Sequence, residues 1–235
     1  LAASPQLRNM ATIGGNLMQK TRCSYYRTPG MPCNKRELGS GCAARGGEHR
    51  NHAIFGVSDN CFATHPSDLA VALQALRADL RVRGPEGERR IGIDTFYVPY
   101  GQDPARETIL EGNELILDVR IPRGELARGS TYVKVRDRAG YEFALASCAA
   151  GIQWEGERMA EVRLALGGVA TKPWTALAAQ RSLTGAEPTP EAFAEASRLA
   201  TVGARPLSQN AWKIELARRT VVRTLERLVS LRRIP

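Results

Sequence analysis

No apolar run in the sequence approaches the roughly 20 residues that a bilayer-crossing helix requires, and no secretory-leader pattern opens it. A membrane span is therefore excluded, and the chain reads as soluble. Internal repeats and low-complexity tracts are missing too. So are nucleic-acid recognition motifs, although the net charge is +9. The cations run from Arg22 through Arg136 to Arg233 with acidic residues interleaved, the dispersion of a solvated surface rather than a stripe for a polyanion. The most informative scarcity is local: "RCSYYRTPGMPCNKRELGSGC", residues 22–42, has almost no apolar side chain to bury. The chain also begins at Leu1 rather than methionine, with its first motif ten residues in, so a preceding portion is expected.

What is present is enough for one large core or two modest ones: 235 residues, 43% of them hydrophobic. Ser67 can cap a helix with Asp68 at its positive end, and Leu69, Ala72, Leu73, Leu76 and Leu80 continue it at helical spacing. "LRVRGPEGERRIGI" then alternates around a Pro-Glu-Gly-Glu turn and predicts a hairpin, and "ELILDVRIP" predicts a strand closed by Pro122. Arg123 to Gly129 is a plausible boundary. Beyond it "STYVKVRDR", "ALASCAAGIQW" and "MAEVRLALGGVA" predict three strands, the last two joined at Glu155-Gly156-Glu157. Thr189 and Pro190 start a helix that Gly203 ends. A final helix from about Asn210 to Leu231 carries Ile214, Ala217, Val221, Leu225 and Leu228 on one stripe. Strands followed by helices give an α+β fold class.

The polar stretch holds its own explanation. Residues 21–61 contain four of the five cysteines, Cys23, Cys33, Cys42 and Cys61, separated by nine, eight and eighteen residues. Ordering such a segment costs on the order of 1–2 kcal/mol of backbone entropy per residue with little burial to offset it. A metal centre or cross-links can compensate. The spacing matches neither the paired cysteines of zinc sites nor the short gaps of ferredoxin-type sites, and two disulfides remain open. Cys148, in the apolar "FALASCAAGI", reads as an inert core thiol.

The flanks carry a resemblance. "RNMATIGGNL" precedes the cysteines, "THPSDLAVAL" follows them, and "ELILDVRIP", "YVKVRDRAGYEFALAS" and "ARPLSQNAWKIELARRTVVRTLERL" come later in order. Over essentially its whole length the chain resembles the FAD-binding medium subunit of the molybdenum hydroxylases, the family of xanthine dehydrogenase, the carbon monoxide dehydrogenase flavoprotein and bacterial aldehyde oxidoreductases. The cysteine-bearing insertion resembles the aldehyde oxidoreductase branch, whose flavin subunit carries an extra 4Fe-4S cluster. The resemblance implies residues 1–122 as the second half of a FAD-binding domain of mixed strands and helices, with a cluster insertion at 21–61. It implies a C-terminal domain at 128–235, read as a three-stranded antiparallel sheet packed by helices. Nothing here corresponds to the family's N-terminal subdomain with its glycine-rich pyrophosphate loop, so FAD is expected at the interface with that missing part.

By the same resemblance Cys23, Cys33, Cys42 and Cys61 are cluster ligands. Thr12, Ile13, Gly14, Gly15 and Asn16 form a flavin-binding turn, where absent Cβ atoms let backbone amides approach the cofactor. Asp68 accepts hydrogen bonds from cofactor hydroxyls besides capping its helix. Lys134, which otherwise reads as a solvent-facing strand residue, lies near the ring where a cation stabilises the reduced flavin, and Ile116 offers backbone contact. No residue is expected as a general base or nucleophile. His49, His52 and His65 read as loop residues. Electrons are expected to pass from a molybdenum cofactor on a large subunit, through 2Fe-2S clusters on a small one, to FAD here and on to an external acceptor. The surplus of Arg22, Arg27, Lys35, Arg36, Arg45 and Arg50 around the cysteines favours a reduced cluster. A flavin subunit serving xanthine or another heterocycle is the alternative within the class, and a basic zinc-stapled binding module the alternative outside it. Reduced thiolates suit a cytoplasmic site, and a cluster loaded before folded export suits a periplasmic one.

Overall fold

The computed structural model describes residues 4–101 and 103–232; the outermost residues of the two expected domains, 1–3 and 233–235, and the cation expected at Arg233 lie outside the described residues. Two short helices, α1 (Pro5–Met10) and α2 (Ile13–Leu17), lead into the polar segment, whose regular structure is α3 (Ser24–Arg27) and a 3-10 turn at Ala43–Arg45. Then α4 (Asp68–Ala75) starts as expected: Ser67 Oγ accepts from Ala70 N at 3.0 Å. It stops earlier than the leucine spacing suggests. Arg77 turns to φ 53°, Ala78 N donates to Leu73 O, and Leu80 belongs to a strand instead. This is a Schellman-type stop with arginine where glycine is usual.

That strand, β1 (Asp79–Gly84), forms the expected hairpin with β2 (Gly87–Gly92), burying Leu80 and Val82. After α5 (Ile93–Phe96), β3 (Leu115–Arg120) completes a three-stranded antiparallel sheet in the order β2-β1-β3. The stretch expected as a boundary is not bare linker. It holds α6 (Glu125–Arg128), which is so close to the next sheet that a Cβ at Gly151 would lie 2.8 Å from Leu126 O.

The second sheet contains β4 (Ser130–Val135), β5 (Ala146–Glu155) and β6 (Arg158–Gly167) as expected, and a fourth strand, β7 (Trp174–Thr175), paired to β6. Two residues are too few to show alternation, which is why the sequence points to three strands. The helices α7 (Leu177–Leu183), α8 (Pro190–Leu199) and α9 (Trp212–Arg232) cover one face. There Ile152, Met159, Leu164 and Leu166 pack with Ala217, Val221, Leu225 and Leu228. Small residues on the other face, Ala149 and Ala165, admit Val71 and Ala75 of α4. At Gly167 an added Cβ would lie 2.5 Å from Val71 Cγ2. The consequence matters for function: α4 is seated on the C-terminal sheet with its N-terminus, and therefore Asp68, beside β4.

Candidate functional site

The polar segment is ordered by side chains that bond backbone. The guanidinium of Arg36 donates to the carbonyls of Tyr26 (2.8 Å), Thr28 (3.1 Å) and Met31. Asn34 Oδ1 accepts from Gly39 N (3.0 Å) and Gly41 N (2.9 Å), and Ser40 Oγ accepts from Cys33 N at 3.0 Å. The segment is also clasped to the loop before α9. His49 Nδ1 donates to Ala44 O (3.1 Å), which leaves Nε2 to accept from Gln209 N (3.2 Å). Asn210 Nδ2 donates to His52 O at 3.1 Å, and the buried Lys213 ammonium donates to Asn51 O (3.0 Å) and Gly168 O (2.7 Å). The histidines expected as loop residues are in loops, yet His49 and His52 are buried.

All four cysteines of the segment line one small cavity. None is in a disulfide. Cys33 and Cys61 are buried and Cys23 and Cys42 half-buried. Burial pushes the Cys61 thiol up to about 11, and burial likewise raises Cys23 and Cys42, each further raised by neighbouring cysteines. Metal binding, which takes the place of these protons, would bring such thiols to thiolates near neutral pH. The soft, unpaired donor set fits a sulfur-ligated metal centre. Among the described residues no three His, Cys, Asp or Glu side chains are placed to hold a single ion. A buried cation, Lys35, lies beside the cavity: its Nζ donates to Pro104 O at 2.7 Å, sits 3.8 Å above the Tyr100 ring and shares Glu107 with Lys20.

The glycine motif is a capped helical turn rather than an open loop. Thr12 Oγ1 accepts from Gly15 N at 2.9 Å, and a Cβ on Gly15 would lie 2.9 Å from that same oxygen, so the cap requires glycine there. Ile13 is exposed, and a Cβ on Gly14 would touch Ile116 Cβ at 3.7 Å. The glycine helix and α4 meet through Ser67 Oγ, which donates to Asn16 Oδ1 at 2.6 Å while capping α4. Asp68 accepts from Tyr132 Oη (2.6 Å) through Oδ1 and from Lys134 Nζ (2.7 Å) through Oδ2. Lys134 is thus buried rather than solvent-facing, with 3% of its side chain exposed. Burial and the Asp68 charge push the Tyr132 phenol well above its ordinary range.

Asp68 and Ser67 line a cleft of about 400 Å³, while the glycine helix, Ile116 and Lys134 stand outside its lining. Its rim carries the ion pair of Arg50 with Asp137 and Arg22 stacked 5.3 Å over Phe143. Ser147, from β5, lines the cleft too; it is 1% exposed, and its Oγ has no hydrogen-bond partner among the described residues. It lies near enough to Tyr132 to ease that phenol's ionisation, and the Tyr132 oxygen, whose own proton goes to Asp68, is the acceptor that faces it. An orphaned buried hydroxyl is costly unless a ligand satisfies it. Sequence reasoning passed over Ser147 because it sits in an apolar run; its only signal was being polar there. The cleft fits a ligand rich in hydrogen-bonding groups.

Residues 1–124 match the FAD binding domain in molybdopterin dehydrogenase, and residues 131–229 the CO dehydrogenase flavoprotein C-terminal domain. The chain is 47% identical over 225 residues to the aldehyde oxidoreductase FAD-binding subunit PaoB of Escherichia coli (strain K12), covering 95% of this chain and 67% of that protein. It is 26% identical over 170 residues to the carbon monoxide dehydrogenase medium chain of Hydrogenophaga pseudoflava, covering 72% of this chain and 42% of that one. A solved carbon monoxide dehydrogenase from Hydrogenophaga pseudoflava, lacking the Mo-pyranopterin moiety of the molybdenum cofactor, superposes with TM-score 0.69 at 25% identity, over 98% of this chain and 64% of that chain. The chain thus spans about two thirds or less of these relatives. No described helix is long and apolar enough to cross a membrane. With both family models matched in sequence order, the chain belongs to the FAD-binding medium subunits of the molybdenum hydroxylases.

Proposed function

We propose that this chain is the electron-transferring flavin and iron–sulfur subunit of a molybdenum-dependent aldehyde oxidoreductase. Its partners are a large molybdenum-cofactor subunit and a small subunit with 2Fe-2S clusters, and it hands electrons to an external acceptor. The observation that carries the reading is the convergence of Cys23, Cys33, Cys42 and Cys61 on one cavity that adjoins the cleft at Asp68. The aldehyde assignment is supported by the 47% identity to an aldehyde oxidoreductase subunit.

In this reading the four cysteines ligate a 4Fe-4S cluster. Thr12, Ile13, Gly14, Gly15, Asn16 and Ile116 form one wall for FAD and Asp68 and Lys134 another. Bound flavin supplies the exchange between one-electron and two-electron carriers. The residues of the chain do the rest. Ser67 holds the glycine helix to α4, so both walls keep one register. Tyr132 and Lys134 fix the Asp68 carboxylate, whose oxygens each retain a lone pair for a ligand. Cys33 and Cys61 are buried away from water. No proton donor or nucleophile is required.

The test is metal analysis and a visible spectrum of the purified complex. Iron and acid-labile sulfide, with flavin, are expected; zinc without iron would favour a zinc-stapled binding module. Cys33→Ser then separates conduction from stapling, because turnover lost in an intact complex assigns the cluster to the electron path.

A further inference from the structure

One imidazole stands between the two cavities. His52 and Cys23 are the residues that line both the cysteine cavity and the cleft at Asp68. His52 Nε2 lies 3.3 Å from Cys23 Sγ. Its backbone is fixed from both sides: its N–H donates to His49 O at 3.0 Å, and its carbonyl accepts from the buried Asn210 at 3.1 Å. The residue is 7% exposed. A metal-bound thiolate has no proton to give. At this distance Nε2 therefore carries the hydrogen.

Resting on the cluster reading above, we propose that His52 is a positioning residue that donates an Nε2–H···S hydrogen bond to Cys23 and thereby raises the reduction potential of the cluster on the side facing the flavin cleft. Taking up one electron makes the cluster and its sulfurs more negative, and a donor aimed at sulfur stabilises that state over the oxidised one. Lys35 approaches another of the cysteines, Cys61, but its ammonium is directed to Glu107 and the Pro104 carbonyl, whereas His52 Nε2 is directed at sulfur. Removing it lowers the driving force for electrons to enter the cluster without touching a ligand.

The test is an EPR-monitored potentiometric titration of the whole multi-subunit complex, with iron and flavin counted in each sample. His52→Leu is expected to move the cluster midpoint to lower potential, and His52→Gln, whose amide nitrogen reaches about as far as Nε2, to recover most of the shift. An unmoved midpoint in His52→Leu with full iron overturns the proposal. Should His52→Leu fail to retain the cluster, hyperfine spectroscopy of the reduced wild-type cluster with 15N-labelled histidine decides. A histidine coupling supports the bond, and its absence overturns it. Iron missing from the wild-type complex overturns the functional reading first and this one with it; iron present with an unmoved potential overturns this one alone.

Discussion

In β5 every residue from Ala146 to Ile152 is buried, whereas across residues 22–42 the buried residues are Cys33, Asn34 and Lys35. The sheet of β4–β7 excludes water from apolar surface shared with three helices, an interaction spread over many contacts and insensitive to any single polar bond. The polar segment relies on discrete bonds from Arg36, Asn34, His49 and Asn210 to backbone groups, each worth roughly 0.5–1.5 kcal/mol net. Segments held in that way open locally at lower free energy than a packed core. The comparison teaches that one chain can seat a site on a rigid layer and still carry a separately tunable pocket beside it.

The strongest way to break this comparison is Leu164→Ala, which empties a fully buried position against the helices. A loss of about 2–5 kcal/mol is expected in urea unfolding, with metal content per folded chain unchanged; metal lost in proportion would mean the regions are not held separately. Next comes Arg36→Met, expected to cost roughly 0.5–1.5 kcal/mol locally by removing its exposed bonds to the carbonyls of Tyr26, Thr28 and Met31. Hydrogen exchange should quicken in residues 21–45 and stay slow in β5 and β6, and stripping the metal should produce the same pattern.

Lys213 joins the two regions and sharpens the contrast through pH. Burial lowers its pKa from 10.5 to about 7, so between those values the unfolded chain binds more protons than the folded one. Stability should therefore rise with pH across that window, by on the order of 1 kcal/mol per pH unit at most. Below it the ammonium is charged in both states and the full cost of burial is present. Lys213→Met should flatten the profile measured by urea unfolding at successive pH values. The smallest effect is expected from the exposed Arg219–Glu215 pair on α9: Arg219→Ala should change stability by about 0.5 kcal/mol or less.

Much of the fold was legible because period and punctuation agree along the chain. The hairpin of β1 and β2, the β5–β6 pair around Gly156, the Thr189 cap and the stripe of α9 all follow local rules. The helical form of Ile13–Leu17 did not, since Gly-Gly argues for a turn and only the Thr12 cap and the contacts of Leu17 outweigh that propensity. Arg77 in a left-handed conformation hid the end of α4. At the site, residue type pointed to the four cysteines and the family resemblance to Asp68, and the Lys134 side chain is enclosed against Asp68 rather than solvent-facing. Ser147 and the Cys23–His52 contact arise from segments distant in sequence meeting in space, which spacing along one chain does not encode.

The hydroxyl of Ser67 has a single proton and spends it on Asn16, a residue 51 positions earlier. That clasp short-circuits everything between. However the cysteine segment moves, the glycine helix and the start of α4 keep their alignment through this bond, which bypasses the segment. On the proposed reading, the cysteine pocket can therefore change while the two elements beside it stay in step.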